Sequence, residues 1–469
     1  MASSEHRHEA IDVLVVGGGN AALCAALAAA DHGARVTMLE RAPIHDRGGN
    51  SKYTRNIRLA HGLERDMSGI YAPQELLDDL RNVTGDDLDD DLAKWAVSAS
   101  ESVKEWMEHH GIRWQPAFRG ALQLNRTNRF FLGGGKTLVN SYFREASRLG
   151  VEVLYDHCVE TIVPTRTGSV HAEITTPSGE ITVTAAAVVV ASGGFEADRG
   201  WLGRYWGEAA ANFIIRGTKY NDGKVLANLL GQGAMERGNA RGFHAVACDA
   251  RSPIYEGGIV TRVDSIPFGV VVNQECQRFA DEGADVWPKR YAAWGTLIAE
   301  QPGQSAFAIH DNSVVGRFIP SIYPPFCASS MEELADLMHV DRERLSSTIR
   351  RFNESIPKPT DWNLSRLDGR GTVGLEIPKS HWAAPLTSPP FFAYPLRPGI
   401  TFTYLGLAVD SSGRVLKADG SSFANIFAAG EVMAGNILRK GYLAGFGMTI
   451  GTVFGRLVGK EAAAHARAA

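Results

Sequence analysis

The sequence predicts an α/β fold, from strand and helix patterns near both ends of the chain. Near the start, the apolar run Ile11–Val16 precedes the stretch GGGNAA at residues 17–22 and an Ala/Leu-rich segment that Gly33 would end. Such a run is typical of a strand buried on both faces, and such a segment is typical of a helix. Near the other end, Asn425–Gly435 repeats a short apolar run with small residues and an acid, ahead of a glycine-rich helical pattern. Together these patterns predict a Rossmann-like unit.

The composition is that of an ordinary globular protein. The chain has 469 residues, a formal net charge of −4, 44% hydrophobic and 21% charged residues, which predicts two structural domains and gives no sign of a nucleic-acid partner. No apolar stretch approaches the roughly 18 residues of a membrane span, and residues 1–10 lack the apolar core of a signal peptide. We therefore expect a cytoplasmic protein. The five cysteines are scattered without CxxC spacing, so we interpret them as reduced thiols and expect no metal site.

The glycine stretch has the spacing of a dinucleotide-binding loop. Gly17 and Gly19 take the first two positions of a GxGxxG pattern and Ala22 takes the third, where a methyl group is tolerated. The next apolar run, RVTMLE, ends at Glu40, which is suited to accept hydrogen bonds from ribose hydroxyls. No second such unit occurs in the middle of the chain, so an extended FAD is favoured over a nicotinamide dinucleotide. The alternative is a purely structural strand–helix turn.

Several stretches, in this order, resemble the fumarate reductase/succinate dehydrogenase flavoprotein superfamily. They are GGGNAA, RGGNS (47–51), GGGKTLVNSYFREASRLGVEVLYD (133–156), VVVASGGFE (188–196), VVNQECQRFADEG (271–283) and AAGEVMAG (428–435). Within the superfamily the chain is similar to the tricarballylate dehydrogenase branch, through GGNSKYTRNIR, TNRFFLGGGK, YEGGIVTRVD, DVWPKRYAAWG, RPGITFTYLGL and GNILRKGYLAGFGMTIG. The resemblance covers residues 11 to about 460.

The resemblance implies a discontinuous FAD-binding domain, residues 1–238 and 375–469, with an inserted α+β capping domain at 239–374. The sequence changes character over the same segment, from glycine-rich strand patterns to proline-punctuated and helical ones, with Asp341 placed to cap a helix. A capping domain that closes over the flavin would exclude water and align the substrate.

The resemblance also assigns cofactor contacts. They are Gly17, Gly19, Asn20, Ala21, Glu40, Arg41, Asn50, Ser51, Val159, Ser192, Gly193, Gly430, Glu431, Met448 and Thr449. Glu431 would bond a ribityl hydroxyl, and a helix opening at Met448–Thr449 would stabilise negative charge on the reduced flavin. Arg41 has the alternative interpretation of a structural charge. Members with covalently attached flavin carry a histidine shortly after the second glycine stretch, whereas this chain has Ser51-Lys52-Tyr53-Thr54, so we expect noncovalent FAD.

For the chemistry, the resemblance implies hydride transfer from a carbon beside a carboxylate to flavin N5, with proton removal from the adjacent carbon. The catalytic candidates are Arg290, Glu282, Arg317 and His244, and the substrate-binding candidates are Arg129, Arg397, Thr403, Tyr404, Lys440 and Tyr442. An arginine normally stays charged, so as a proton carrier it needs a relay partner and a buried site. Each candidate has a structural alternative: a surface charge for an arginine, a hydrogen-bonded core residue for the histidine, simple packing for a tyrosine.

The expected substrate is a polycarboxylate. Fumarate-type members carry a histidine in the segment corresponding to PGITFT and an arginine near GYLAG, where this chain has Phe402 and Tyr442. A larger acid is therefore favoured, and the closer branch implies oxidation of tricarballylate to an aconitate. The alternatives are a ring-ketone or steroid dehydrogenase, a flavoprotein acting on a corrin-type tetrapyrrole, and a non-catalytic flavin electron-transfer protein. The electron acceptor stays open between a membrane redox partner, a quinone and dioxygen.

Overall fold

The chain forms two sheets with helices around them. The computed structural model describes residues 11–85, 88–116, 124–165, 168–357 and 366–469, so the N-terminal residues used above to judge a signal peptide lie outside it. The helices are α1 Asn20–Asp31, α2 Pro73–Thr84, α3 Asp90–Ala99, α4 Val103–His109, α5 Gly134–Arg148, α6 Arg199–Trp206, α7 Lys224–Gly231, α8 Trp287–Arg290, α9 Trp294–Ala299, α10 Met331–Met338, α11 Arg342–Glu354 and α12 Phe446–Ala468. The strands are β1 Ile11–Val16, β2 Val36–Glu40, β3 Asn56–Arg58, β4 Asn128–Phe130, β5 Glu152–Tyr155, β6 Cys158–Pro164, β7 Val170–Thr176, β8 Gly179–Val190, β9 Ile214–Ile215, β10 Glu236–Arg237, β11 Phe243–Asp249, β12 Val270–Asn273, β13 Ala306–Asp311, β14 Phe326–Ala328, β15 Phe391–Thr403, β16 Gly406–Leu407, β17 Arg414–Leu416 and β18 Ser422–Ala428.

The first sheet joins the two ends of the chain. Its parallel strands run in the order β18-β8-β1-β2-β5, with β17 antiparallel at one edge and the β6–β7 hairpin continuing from β8. Val15 lies opposite Val189 on one side and Met38 on the other, and all three are fully buried. A parallel strand covered on both faces needs an unbroken apolar run, which is what the sequence provides here. The predicted α/β class is confirmed.

Two helices from opposite ends of the chain pack against each other beside this sheet. A Cβ on Gly455 of α12 would lie 2.6 Å from the carbonyl oxygen of Ala21 in α1, and one on Gly459 would overlap the carbonyl oxygen of Ala25. Glycine at both positions therefore lets the two backbones approach closely. Asn20, the first residue of α1, donates to the carbonyl oxygen of Met448 at 3.3 Å. The N-termini of α1 and α12 thus lie side by side.

The second sheet is antiparallel and supports the opposite wall of the site. Its order is β11-β15-β13-β12, with β14 and β9 also paired to β15, and α10 and α11 cover a separate apolar core on it. Asp341 accepts from the backbone N–H of Arg344 at 2.8 Å, so the predicted helix cap is confirmed. Strands β9 and β15 belong to this sheet although their residues lie outside the predicted 239–374 segment, since β15 pairs with β11, β13 and β9. The domain boundaries themselves stay a prediction.

The described residues contain neither a membrane-spanning helix nor a metal-binding group of side chains. No helix among them is long and apolar enough to cross a bilayer. Across the same residues, no three His, Cys, Asp or Glu side chains are grouped so as to hold a metal ion.

Candidate active site

A large cavity lies where the first sheet, α1, α12 and the second sheet meet. Part of its lining comes from the carboxyl ends of β1, β2, β8 and β18, where ligands bind in open α/β sheets. Another part comes from residues next to β9 and on β11, β15 and α8. The two parts differ sharply in charge and in backbone character.

The first part of the lining is formed largely by backbone. Gly17 has a φ of 118°, and a Cβ there would overlap the carbonyl oxygen of Ala191. A Cβ on Gly18 would overlap the carboxylate of Glu40. Glycine is therefore required at both positions, and the loop offers its main-chain groups directly to a ligand. A bulky phosphate-containing cofactor fits such a wall.

Two helix N-termini open onto the cavity. α1 begins after Gly19 and α12 after Gly445, and neither has a side-chain cap or an acidic residue in its first turn. The backbone N–H of Asn20 donates to the Ser51 hydroxyl at 2.9 Å. A helix N-terminus carries a partial positive charge. Two such ends with no acidic residue in their first turns suit an anionic ligand. A diphosphate and an electron-rich ring system are such groups.

Glu40 lies at the end of β2 on the same wall. Its Oε1 accepts from the backbone N–H of Ala42 at 2.8 Å, and burial raises the pKa of its carboxyl group. This buried acid in the cavity lining is suited to accept from sugar hydroxyls. Next to it, Arg41 forms an ion pair with Asp222 at 2.6 Å. Arg41 lines the cavity, but Asp222 balances its charge.

The second part of the lining is rich in arginine. We call it the arginine pocket, and it consists of Arg55, Arg216, His244, Arg262, Tyr291 and Tyr442. Arg262 donates through two nitrogens to Asp264, at 2.6 and 2.8 Å. Arg216 donates only to neutral groups, the carbonyl oxygen of Gly258 at 3.3 Å and the Thr401 hydroxyl at 3.1 Å. The pocket therefore holds more positive than negative charge.

Burial and the excess of positive charge lower the pKa values of two arginines in the arginine pocket. Burial, together with the neighbouring charge of Arg262, lowers the pKa of Arg55 to about 10. Burial and Arg262 lower the pKa of Arg216 as well. The Nε of Arg55 is buried and has no hydrogen-bond partner among the described residues. Buried cations without a counter-charge are costly, so the pocket is suited to bind an anion.

His244 lies within the arginine pocket as a neutral imidazole. Burial lowers its pKa well below the usual value, and the charges of Arg216 and Arg262 lower it further. Its ring stacks on Tyr442, with the centroids 3.9 Å apart, and meets Tyr291 edge-on at 5.7 Å. Within the described part of the chain, its buried Nε2 has no hydrogen-bond partner. A neutral ring with a free nitrogen can accept a proton or orient a substrate.

The family of the chain follows from comparison with known proteins. A family described as "FAD binding domain" matches residues 12–445. The chain belongs to this family. It is part of the fumarate reductase/succinate dehydrogenase flavoprotein superfamily, so the predictions of FAD as the cofactor and of a flavin-dependent oxidoreductase are confirmed at the level of the family.

Two relatives match nearly the whole chain. The NADH:fumarate oxidoreductase of Klebsiella pneumoniae (strain 342) is 28% identical over 97% of this chain, which spans 48% of that protein. The fumarate reductase (cytochrome) of Shewanella frigidimarina is 25% identical over 98% of this chain and 78% of its own length. The chain thus corresponds to about half of the first relative and about three quarters of the second.

Solved structures share the fold. An open flavocytochrome c3 fumarate reductase gives a TM-score of 0.75 at 22% identity, covering 98% of this chain and 79% of its own. The 3-ketosteroid-Δ4-(5α)-dehydrogenase of Rhodococcus jostii RHA1, bound to 4-androstene-3,17-dione, also gives 0.75 at 22% identity, covering 98% and 99%. The predicted tricarballylate branch is not among the relatives described here.

The structure brings nearly all of the predicted FAD residues into the cavity lining. Those that line it are Gly17, Gly19, Asn20, Ala21, Glu40, Arg41, Asn50, Ser51, Val159, Ser192, Gly193, Gly430, Glu431 and Met448. Thr449 does not, since it faces β3 and its hydroxyl donates to the carbonyl oxygen of Arg58. Their contacts with the cofactor stay predictions.

Of the predicted catalytic residues, only His244 lines the cavity. His244 lies in the arginine pocket, but Glu282 lies outside the cavity lining, where its carboxylate pairs with Arg278 at 2.6 Å and accepts from Val271 N–H at 2.9 Å. Arg290 is on α8 but outside the lining, and Arg317 is exposed on the surface. The roles of these residues in proton transfer stay predictions.

The predicted substrate residues separate in the same way, since only Tyr442 lines the cavity. Arg129 is buried against Glu64 and Asp66, at 2.5 and 2.6 Å. The others also lie outside the lining. Arg397 donates to Asn212 at 3.0 Å, and Thr403 donates to Glu431 through its backbone N–H at 2.8 Å. Tyr404 donates to the carbonyl oxygen of Gly441, and Lys440 is exposed beside Gly85.

Sequence reasoning missed four residues of the arginine pocket. Arg55, Arg262 and Tyr291 occur inside the stretches GGNSKYTRNIR, YEGGIVTRVD and DVWPKRYAAWG, so a signal was present but gave no reason to choose them over their neighbours. Arg216 follows the two-residue strand β9 and occurs in no recognised stretch.

Proposed function

We propose that this chain binds FAD noncovalently and dehydrogenates a CH–CH bond in a polycarboxylate, with tricarballylate oxidised to an aconitate. The observation that carries the proposal is the arginine pocket, in which Arg55, Arg216 and Arg262 share the single carboxylate of Asp264 within the described part of the chain. Similarity to the tricarballylate dehydrogenase branch supports tricarballylate as the polycarboxylate. A fumarate-sized substrate is disfavoured, since Phe402 and Tyr442 replace cationic groups of the fumarate-type pattern.

The FAD would be held by the glycine wall, by Glu40 at the ribose and by the N-termini of α1 and α12. When bound, it would supply the two-electron acceptor for a hydride leaving one substrate carbon. The remaining work falls to the arginine pocket. Arg55, Arg216 and Arg262 would bind the carboxylates, and neutralising a carboxylate makes the adjacent C–H more acidic.

His244 would take the proton from the carbon next to the one that loses the hydride. Its imidazole is neutral, because burial and the nearby arginines lower its pKa, so it has a lone pair available near neutral pH. Tyr442 stacks against it and fixes the ring plane. Loss of one hydride and one proton leaves a C=C bond in the substrate, and the proton would pass from His244 to solvent after release of the product.

A second candidate is a ring-ketone or steroid dehydrogenase. The aromatic lining of Trp287, Tyr291, Phe402 and Tyr442 favours it, as does the full-length fold likeness to a ketosteroid enzyme. A neutral steroid would, however, bring no negative charge to Arg55 and Arg216, so the polycarboxylate is preferred. A cytoplasmic location and an acceptor drawn from a membrane redox partner, a quinone or dioxygen complete the proposal.

Anaerobic absorption spectra of the flavin-loaded protein test the proposal. Tricarballylate, citrate, succinate and 4-androstene-3,17-dione are added one at a time, and we expect bleaching of the flavin by tricarballylate. Bleaching by the steroid alone would establish the second candidate. Chemically reduced flavin that is reoxidised by aconitate, without bleaching by tricarballylate, would reverse the proposed direction. A flavin that no acid or ketone reduces, but that a redox protein does, would favour a non-catalytic electron carrier.

A further inference from the structure

Two glutamates lie side by side at the flavin-binding wall, one buried and one half-buried. Glu196 follows β8 and is completely buried, and Glu431 follows β18 and lines the cavity. A Cβ on Gly194 would overlap Glu431 Oε1 and would lie 2.8 Å from Glu196 Oε2. Both carboxyl groups therefore converge on the same small space next to Gly194.

The hydrogen bonds around the two glutamates differ in kind. Glu196 Oε1 accepts from the side-chain amides of Asn50 at 2.6 Å and Asn221 at 2.8 Å. Glu431 Oε1 accepts from the backbone N–H of Thr403 at 2.8 Å. Glu196 Oε2, the oxygen that faces Glu431, is buried and has no donor among the described residues. One acceptor site in the pair is thus unfilled.

A proton between the two carboxyl groups would fill that site. Burial raises the pKa of both, and the charge of Glu196 raises that of Glu431 further. Within the described part of the chain, the groups that act on the pair are Asn50, Asn221, Thr403 and the phenols of Tyr404 and Tyr442, and no cation is among them. Burial raises the pKa of both phenols, so they stay neutral.

We propose that Glu196 and Glu431 share one proton, and that Glu196 is a positioning residue that holds Glu431 and Asn50 in place for FAD. Glu196 does not itself line the cavity. Its carboxylate accepts the shared proton on one oxygen and the Asn50 amide on the other, and Asn50 also donates to the carbonyl oxygen of Thr401 at 2.6 Å. Loss of the shared proton would leave two adjacent buried anions, which repel each other. The inference concerns the cofactor wall and does not depend on which substrate is used.

FAD binding should then depend on pH. Bound FAD would cover the cavity side of Glu431 and remove water from it, so the bound form keeps the shared proton to a higher pH than the free form. Between the two pKa values the Kd for FAD rises by up to tenfold per pH unit, and below them it is constant. The Kd is measured on apoprotein by quenching of flavin fluorescence, from about pH 6 to about pH 10.

Matched variants separate this effect from a merely structural one. Glu196→Gln replaces the shared proton by a permanent amide donor, so the alkaline rise in Kd should disappear while binding at neutral pH stays within about twofold. Glu196→Leu removes the acceptor for Asn50 and Asn221, so Kd should rise about tenfold or more at every pH. Glu208→Gln, at an exposed glutamate, should reproduce the wild-type profile.

Two results would overturn the inference. One is an alkaline rise in Kd that persists unchanged in Glu196→Gln and in Glu431→Gln. The other is the absence of a protonated-carboxyl C=O stretch from the infrared spectrum of wild-type holoprotein at neutral pH. The second measurement needs no variant, so the inference stays testable even if a substitution prevents folding.

Discussion

Replacing Arg216 should stabilise the empty protein while disabling substrate binding. Arg216 is only 6% exposed, and its hydrogen-bond partners within the described part of the chain, Gly258 and Thr401, are neutral. Its charge is opposed by burial and by Arg262, which together lower its pKa. Replacing even a paired set of buried ions by apolar side chains of similar size is often neutral or stabilising by about 1–4 kcal/mol, and an ion without a partner is costlier to bury. We therefore expect Arg216→Met to raise the free energy of unfolding of the apoprotein by about 1–3 kcal/mol.

The same substitution should weaken the reaction strongly. Losing one charged partner of a buried carboxylate costs about 2–5 kcal/mol, a fall in kcat/KM of roughly 30-fold to several thousand-fold. Denaturant unfolding gives the stability, and anaerobic stopped-flow reduction of the flavin by tricarballylate gives the rate. Arg251→Gln, where the arginine pairs with Asp249 away from the cavity lining, is the matched control and should keep wild-type kinetics. Destabilisation by 2 kcal/mol or so, or a kcat/KM within about twofold of wild type, would refute the reasoning.

Three further outcomes are expected. His244→Gln should slow flavin reduction by about 10²–10⁴-fold. Because the pKa of His244 is lowered, its imidazole stays neutral as the pH falls through about 6.5, so the wild-type rate constant should show no loss there, and an acid limb at that pH in stopped-flow data would contradict this role. Gly18→Ala should raise the Kd for FAD at least about tenfold, because its methyl group overlaps the Glu40 carboxylate. Fluorescence quenching measures the Kd, and an unchanged value would mean that the loop moves to accommodate the methyl group. Arg129→Gln should destabilise the protein by about 1–3 kcal/mol in urea unfolding with no change in KM, and a raised KM would return this residue to the substrate site.

The cofactor wall was predictable from the sequence because its parts are local. Gly17, Gly19 and Glu40 lie within one strand–turn–helix–strand unit, so backbone geometry alone fixes where they go. The second uncapped helix end, at Gly445, belongs to a separate glycine-rich pattern that the sequence also displays. The family resemblance then identified the remaining positions, of which only Thr449 turns away from the cavity lining.

The arginine pocket was not predictable because distant strands assemble it. The ladder between β11 and β15 shifts register between His244 and Ala245, so Phe402 lies opposite His244 while Thr401 is passed over. A one-residue shift of this kind exchanges which side chains face the cavity, and no sequence pattern reveals it.

The contact between α1 and α12 has a consequence for biosynthesis. A ribosome completes the glycine loop and α1 hundreds of residues before it makes α12, the helix that packs on α1 through Gly455 and Gly459. Until β18 and then α12 have emerged, the nascent cofactor wall lacks one of its strands and the second helix end. The apolar β1 and α1 are therefore made long before their packing partners, and they are exposed to aggregation until those partners follow.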